Sequence, residues 1–298
     1  MKTPLVSIIT VNYKQPEVTG ELLKSLAQIS YPNLEVILVD NEQSFSDEGY
    51  YQQLFTGIKV INSPENLGFA GANNLGIKAA KGEYLFFLNN DTELENGVIE
   101  KLLQAFDSPK VGAVSPVLRY AENPEKIQFA GYTPIHPLTG RNSPMKDLAS
   151  PTLAETPYFH GAAVMIPKRV LDQAGNMDED YFLYYEELDW SQRIREAGYE
   201  LKVLKSVHVL HKESISTGKN SPLKVYYQTR NRVHFMRRNF ANPWGFLLFF
   251  CLVSLPKNVI SFSLKKQKSH RKAFNLGWKH ALLENRFGSI DPKILIAA

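Results

Sequence analysis

Along residues 5–115, short apolar runs alternate with stretches whose apolar positions recur every three or four residues. Leu5–Thr10, Leu34–Val39, Lys59–Ile61, Tyr84–Leu88 and Val111–Ser115 predict strands. Between them, Val18–Leu26 sets Leu22, Leu23 and Leu26 on one helical face, and a polar helix spans about residues 47–55. Phe69–Ala80, stopped by Gly82, and Gly97–Phe106 predict two further helices. Strand, helix, strand at this spacing implies crossover connections and an α/β fold with a mostly parallel sheet flanked by helices. Runs such as VILV and LFFL suit strands covered on both faces.

Residues 117–158 break the pattern. They are rich in Pro, Asn, Thr and Ser and predict an extended excursion over the sheet, a lid over an acceptor. The sheet resumes at Gly161–Ile166, a helix covers about Glu187–Ala197, and Glu200–Leu204 and Val207–Leu210 predict two short strands. After Pro222 the chain turns helical and basic. The expected division is therefore 1–220 as the α/β domain and 221–298 as a basic helical extension.

Three predicted strands end on polar groups: Thr10-Val11-Asn12-Tyr13, Asp40-Asn41 and Asn89-Asn90-Asp91. In open α/β sheets, ligands sit beyond the carboxyl ends of the strands. One carboxylate such as Asp91 suffices for Mg²⁺ or Mn²⁺ when a substrate diphosphate and water complete the shell. On that stretch alone, a cap for the next helix is the better reading. In NSPENLGFAGANN, residues 62–74, Asn66 and Gly68 precede a helix N-terminus, where backbone N–H groups favour an anion, although turn chemistry alone explains them. MDEDYFLYYEELDW, residues 177–190, sets six carboxylates among five aromatic residues. Asp178–Asp180 read as an acidic helix start. Glu186 and Asp189 share a helix face, and carboxylates against aromatic surface suit a general base, so Glu186 and Glu187 are read as functional. Of His208 and His211, the second, followed by a polar loop, is the better metal-ligand candidate.

Composition narrows the classes. Of 298 residues, 44% are hydrophobic, and Cys251 is the one cysteine, so neither a disulfide framework nor a thiolate metal site is available. A reducing cytosol fits, and no signal peptide is expected before LVSIIT. Charge is divided: residues 1–200 hold 16 basic and 27 acidic side chains, residues 201–298 hold 18 and 3. The basic part calls for an anionic partner or is a solvated tail. The apolar run Phe246–Leu255 is too short to span a bilayer, which needs about 20 residues. Followed by KKQKSHRK, it reads either as an interfacial helix on anionic lipid or as a helix packed on the catalytic part or a second subunit. The chain lacks a P-loop, the dinucleotide fingerprint, H-E-x-x-H and G-x-S-x-G.

VSIITVNY, VILVDN, NLGFAGANNLGI, FFLNNDTEL, DEDYFLYYEELDWSQRIREAGY, HKESISTGKNSP and YYQTRN, in this order, resemble the family 2 glycosyltransferases of GT-A fold. The likeness runs from Val6 to about Gly288 and is greatest to bacterial members that build rhamnose-containing and other cell-surface polysaccharides. It implies an inverting transfer from a nucleotide diphosphate sugar, of UDP or dTDP type, to a saccharide or lipid-linked acceptor at the cytoplasmic face of the cell membrane. It further implies that Asp40 contacts the donor base and that Thr10 and Asn12 line the nucleotide pocket, with Asn66, Gly68, Asn73, Asn90 and Arg230 on the donor side. The family's D-x-D motif falls on Asn89-Asn90-Asp91, which leaves Asp91 as metal ligand with His211, for Mg²⁺ or Mn²⁺. Its Glu-Asp base motif falls on Glu186-Glu187, with Asp189 as a further candidate, and Asn73 stands where many relatives carry arginine.

Two other functions fit a similar sheet. A nucleotidyltransferase would carry an N-terminal Gly-rich basic loop, which VSIITVNYKQPEV lacks. An inactive nucleotide-sugar-binding protein would tolerate the missing aspartate. A nucleic-acid partner is not expected, since no reading module is recognisable.

Overall fold

The computed structural model describes residues 3–41, 48–149, 151–212 and 221–296. In chain order the elements are β1 Val6–Asn12, α1 Pro16–Leu26, β2 Leu34–Asp40, α2 Glu48–Leu54, β3 Lys59–Asn62, α3 Gly68–Ala79, β4 Tyr84–Leu88, β5 Thr92–Glu93, α4 Val98–Gln104 and β6 Val111–Tyr120. There follow β7 Asn123–Phe129, β8 Leu153–Glu155, β9 Ala163–Pro167, α5 Lys168–Ala174, α6 Glu186–Glu196, β10 Glu200–His211 and α7 Pro222–Asn239. The chain closes with α8 Trp244–Phe249, α9 Leu255–Leu264, α10 Lys268–Lys279 and α11 Lys293–Ile296.

One sheet runs β3-β2-β1-β4-β9-β6-β10-β5, with β7 paired to β6 and β8 to β10. β1 to β4 are parallel, as are β6 and β10, while β9 is antiparallel to both β4 and β6. The sheet is thus mixed, with most of its strands pointing one way. Successive side chains fall on opposite faces: Val6, Ile8, Phe86 and Leu88 join one apolar layer with α1 and α4, whereas Ile9, Leu85 and Phe87 join the other with α3, α5 and α6. Burial on both faces explains why these strands read as unbroken apolar runs.

Two expectations need correction. Residues 117–158 are not wholly an excursion: β6 continues to Tyr120 and turns into β7, so the first part extends the sheet as a hairpin. The two short strands at 200–210 are one strand, β10, whose register against β6 shifts between Leu204 and His208. That bulge absorbs the polar Lys205-Ser206 pair that appeared to end a strand.

The C-terminal helices do not stand apart from the sheet. Val233, Phe235 and Met236 of α7 share an apolar core with Phe250 and Phe274, and with Ile135, Tyr158, Tyr181 and Leu188 from the earlier part of the chain. α8 passes through a π-helical stretch, Phe250–Ser254, into α9, giving a continuous helix of 21 residues, Trp244–Leu264. The apolar run of ten residues is therefore part of a helix long and apolar enough, by length and composition, to cross a membrane.

Candidate active site

The carboxyl ends of β1, β2 and β4 meet at one rim, where a cavity of about 610 Å³ opens. Asn41, Asn66, Gly68, Asn73, Asn90 and Asp91, drawn from three separate strand ends and α3, all line it. A volume of this size suits a ligand as large as a nucleotide sugar. Thr10, Asn12 and Asp40 are fully buried and form no part of the cavity wall. The pleat explains this for β1: Val11 and Tyr13 face the cavity, so their neighbours face away. Asn12 donates to Asp40 Oδ1 (3.2 Å), Thr19 Oγ1 donates to Asn12 Oδ1 (2.9 Å), and Asn90 Nδ2 donates to Thr19 Oγ1 (3.0 Å). This chain of bonds fixes the Asn89–Asp91 turn from beneath.

The start of α3 is already capped. Leu67 N–H donates to Asn41 Oδ1, Gly68 N–H to Asn66 Oδ1 and Phe69 N–H to Phe182 O, at 2.7–2.9 Å. The anion expected on those free N–H groups therefore finds them taken. Gly68 has φ +70°, and a Cβ there would lie 2.2 Å from Phe182 O, so only glycine fits this contact. Asn73 donates to Phe69 O within its own helix (2.9 Å).

Asp91 does not cap the next helix; α4 begins after Gly97. Instead its carboxylate is buried, with Oδ1 3.2 Å from His211 Nε2 and, among the described residues, without a hydrogen-bond partner. His211 comes from the end of β10, across the sheet, and its Nδ1 lies 2.8 Å from Gln128 Oε1 on β7. His211 Nε2 and Asp91 Oδ1 are a nitrogen and an oxygen of the kind a divalent cation takes as ligands, with Gln128 as the outer partner that orients the ring. The polar loop expected after His211 lies outside the described residues. His208 sits 3.7 Å from Glu95 and takes no part. A second acidic group, Asp178, Asp180 and His234, brings ligand atoms within 4.8 Å of one another. There Arg238 already pairs with Asp178, whose side chain also caps the Asp180 N–H.

Sequence reasoning missed His160. Its ring stacks on Tyr132 (centroids 6.0 Å apart) and meets His211 edge-on (5.9 Å). Burial, then the neighbouring His211, push its pKa down to about 3, so it is neutral. Nothing in the chain around YFHG signals this, because the partners lie far away in sequence.

The three candidate bases have three different settings. Asp189 is fully buried and accepts from Arg193 (2.8 Å), Asn239 (3.0 Å) and Tyr181 (3.1 Å), which makes it a structural anchor rather than a base. Glu186 is buried with Oε2 unpartnered among the described residues, and burial, then the Glu187 charge, raise its pKa well above the ordinary value. Glu187 lines a second hollow, and burial raises its pKa to about 7 against bonds from backbone N–H groups that lower it. Gly161 lies close to both the Asp91 cavity and Glu187. It lines the Asp91 cavity, and a Cβ placed on it would lie 3.6 Å from Glu187 Cβ.

The loop before α6 is strained. Phe182, Tyr184 and Tyr185 have φ of +61°, +69° and +76°, at a cost of about 1–3 kcal/mol each. Asn231 of α7 holds the loop, donating to Tyr181, Leu183 and Tyr184 carbonyls at 2.7–2.9 Å. Arg230 donates to Asp180, Tyr181 and Gly288 carbonyls and to Asn231 Oδ1. Its guanidinium is fully buried against Tyr226 and Tyr227, so the donor-side role expected of it is displaced by a bracing one.

A sheet whose strand ends gather these amides, with a buried acid–imidazole pair and a poised glutamate alongside, defines a glycosyltransferase of GT-A architecture. The chain belongs to glycosyl transferase family 2, whose family model matches residues 7–175. It is 27% identical to the low-salt glycan biosynthesis hexosyltransferase Agl10 of Haloferax volcanii, over 76% of this chain and 74% of that one. It is 24% identical to the N-acetylglucosaminyl-diphospho-decaprenol L-rhamnosyltransferase of Mycobacterium tuberculosis, over 81% of this chain and 87% of the relative. Among solved structures, that of GalNAc-T7 with UDP, GalNAc and Mn²⁺ superposes with TM-score 0.65 at 15% identity, over 95% of this chain and 57% of that one.

Proposed function

We propose that the protein transfers a sugar, with inversion, from a UDP- or dTDP-type donor to a hydroxyl of a saccharide or lipid-linked saccharide in cell-surface polysaccharide synthesis. Rhamnose is the sugar favoured by the mycobacterial relative's name. The observation that supports this reading is the nearness of Glu187 to the Asp91 cavity: Gly161 lines that cavity, and a Cβ on it would lie 3.6 Å from Glu187 Cβ. Glu187 takes the proton of the acceptor hydroxyl as its oxygen bonds to the anomeric carbon, and the bond to the donor diphosphate breaks from the opposite face. Such a base contributes about 10²–10⁴ in rate. Asp91 and His211 would hold Mg²⁺ or Mn²⁺, which when bound offsets charge on the leaving diphosphate. The test offers UDP-, dTDP- and GDP-sugars with Mg²⁺, Mn²⁺ or EDTA and measures nucleoside diphosphate release. One donor should give cation-dependent release, and Glu187→Gln should abolish transfer while leaving donor affinity intact. Full turnover by Glu187→Gln would overturn the base assignment. Pyrophosphate release from a nucleoside triphosphate and a sugar phosphate would favour the nucleotidyltransferase.

We place the reaction at the cytoplasmic face of a membrane. Trp244, Leu248, Leu252, Ile260 and Leu264 of the 21-residue helix are exposed, while Phe246 and Phe250 pack inward. With one side packed on protein, the helix is suited to lying on a bilayer rather than being encircled by it. Lys265, Lys266, Lys268, Arg271 and Lys272 follow at once and suit anionic lipid.

A further inference from the structure

The hollow beside Glu187 measures about 370 Å³ and is walled by groups that deprotonation of a hydroxyl does not need. Arg232 of α7 lines it, is 4% exposed, and has a buried Nε that, among the described residues, has no hydrogen-bond partner. Asn142 adds a buried Nδ2 donor that is equally unpartnered. Arg141 also lines it, exposed, and among the described residues neither arginine forms an ion pair. Phe250, with its ring 5.3 Å from the Arg232 guanidinium, is a weak substitute for an anion. Burial, with Arg141 adding to it, depresses the Arg232 pKa to about 10. A guanidinium taken out of water, as that of Arg232 is, costs several kcal/mol unless an anion meets it. Phe262 of α9 and Phe274 of α10 give the wall an apolar part, beside the polar Gln228, Thr229 and Asn258. α9 belongs to the same helix that exposes Leu252, Ile260 and Leu264 on its outer side.

Resting on the transfer reading above, we propose that this hollow binds the acceptor through a phosphate or diphosphate group, with Arg141 and Arg232 on the phosphate oxygens and an apolar tail over Phe262 and Phe274. The sugar carried by that phosphate then presents its hydroxyl to Glu187. Arginine suits this task because its fork meets two phosphate oxygens at once. The apolar wall leads a tail toward the helix that faces lipid.

Farnesyl diphosphate serves as the probe, titrated calorimetrically into the full chain in EDTA, with inorganic pyrophosphate and farnesol as the half-ligands. Farnesyl diphosphate should bind at least tenfold more tightly than either half. Arg141→Gln and Arg232→Gln should each weaken it about tenfold or more, with Arg232→Lys between. Arg141 is exposed, so its variant keeps the measurement decisive if Arg232→Gln fails to fold. Unchanged affinity in a folded Arg141→Gln protein overturns the proposal. A loss in Asp91→Asn overturns it as well, since the ligand would then sit in the donor cavity. Phosphatidylglycerol vesicles separate a bulk headgroup from an acceptor: equal loss of vesicle and farnesyl diphosphate binding in Arg141→Gln would make this a headgroup site and overturn the acceptor assignment. Cation-dependent hydrolysis of the sugar nucleotide by the unaltered protein reports the transfer reading separately. Its absence with every donor removes that reading and this proposal with it.

Discussion

Glu186 and Glu187 are adjacent carboxyls with opposite fates. Glu187 opens onto a hollow and, with a pKa raised to about 7, is half ionised near neutrality. A base must be deprotonated to act, so kcat/KM should fall about tenfold per pH unit below about 7, and Glu187→Gln should show no such limb. Glu186 is enclosed, with an oxygen unpartnered among the described residues. Its pKa is higher folded than unfolded, so the unfolded state loses the proton first and stability drops as pH rises above about 4.5. The loss is roughly 1.4 kcal/mol per pH unit until the folded carboxyl also ionises. Glu186→Gln should therefore gain thermal stability over the unaltered protein at pH 8 and little at pH 5, read by scanning calorimetry. A pH-independent difference would show that Glu186 is ionised in the fold.

At the scale of elements, what the sequence made legible follows from burial. Strand ends were readable because LFFL and VILV stop abruptly at Asn89 and Asp40, where the sheet meets its rim. The β6–β7 hairpin was not, because Asn123-Pro124-Glu125-Lys126 is exposed and carries no alternation. The long helix was cut short in the reading because Pro256 normally stops one. Here a π-helical stretch precedes the proline and lets the chain run on. Arg230 drew notice for its charge, whereas its silent neighbour Asn231 makes the more telling contacts, with a loop some 50 residues earlier. Asn231→Ala should release the strained Phe182–Tyr185 backbone, with a loss of about 1–3 kcal/mol in urea unfolding. It should lower kcat more than donor affinity, because the loop aims Glu187. A stability loss with unchanged kcat would reduce Asn231 to a packing residue.

Across the whole molecule, charge and apolar surface concentrate at the C-terminal end. The acidic portion holds the strand-end rim, to which the basic portion adds His211, and the basic portion holds the helix with its exposed leucines. Co-sedimentation with phosphatidylglycerol vesicles should succeed at low salt, weaken severalfold at high salt, and fall further in a Leu248→Ser/Leu252→Ser double variant. No sedimentation at low salt would end the membrane assignment. The packing of α7 and α10 against the segment that carries Glu187 means the long apolar helix and that segment share one core. Gly161, a residue without a side chain, lines the Asp91 cavity, and a Cβ on it would lie 3.6 Å from Glu187 Cβ. On the proposed reading, that bare stretch of main chain leaves room for the reacting carbon to stay where its leaving group is gripped while the new oxygen arrives beside it.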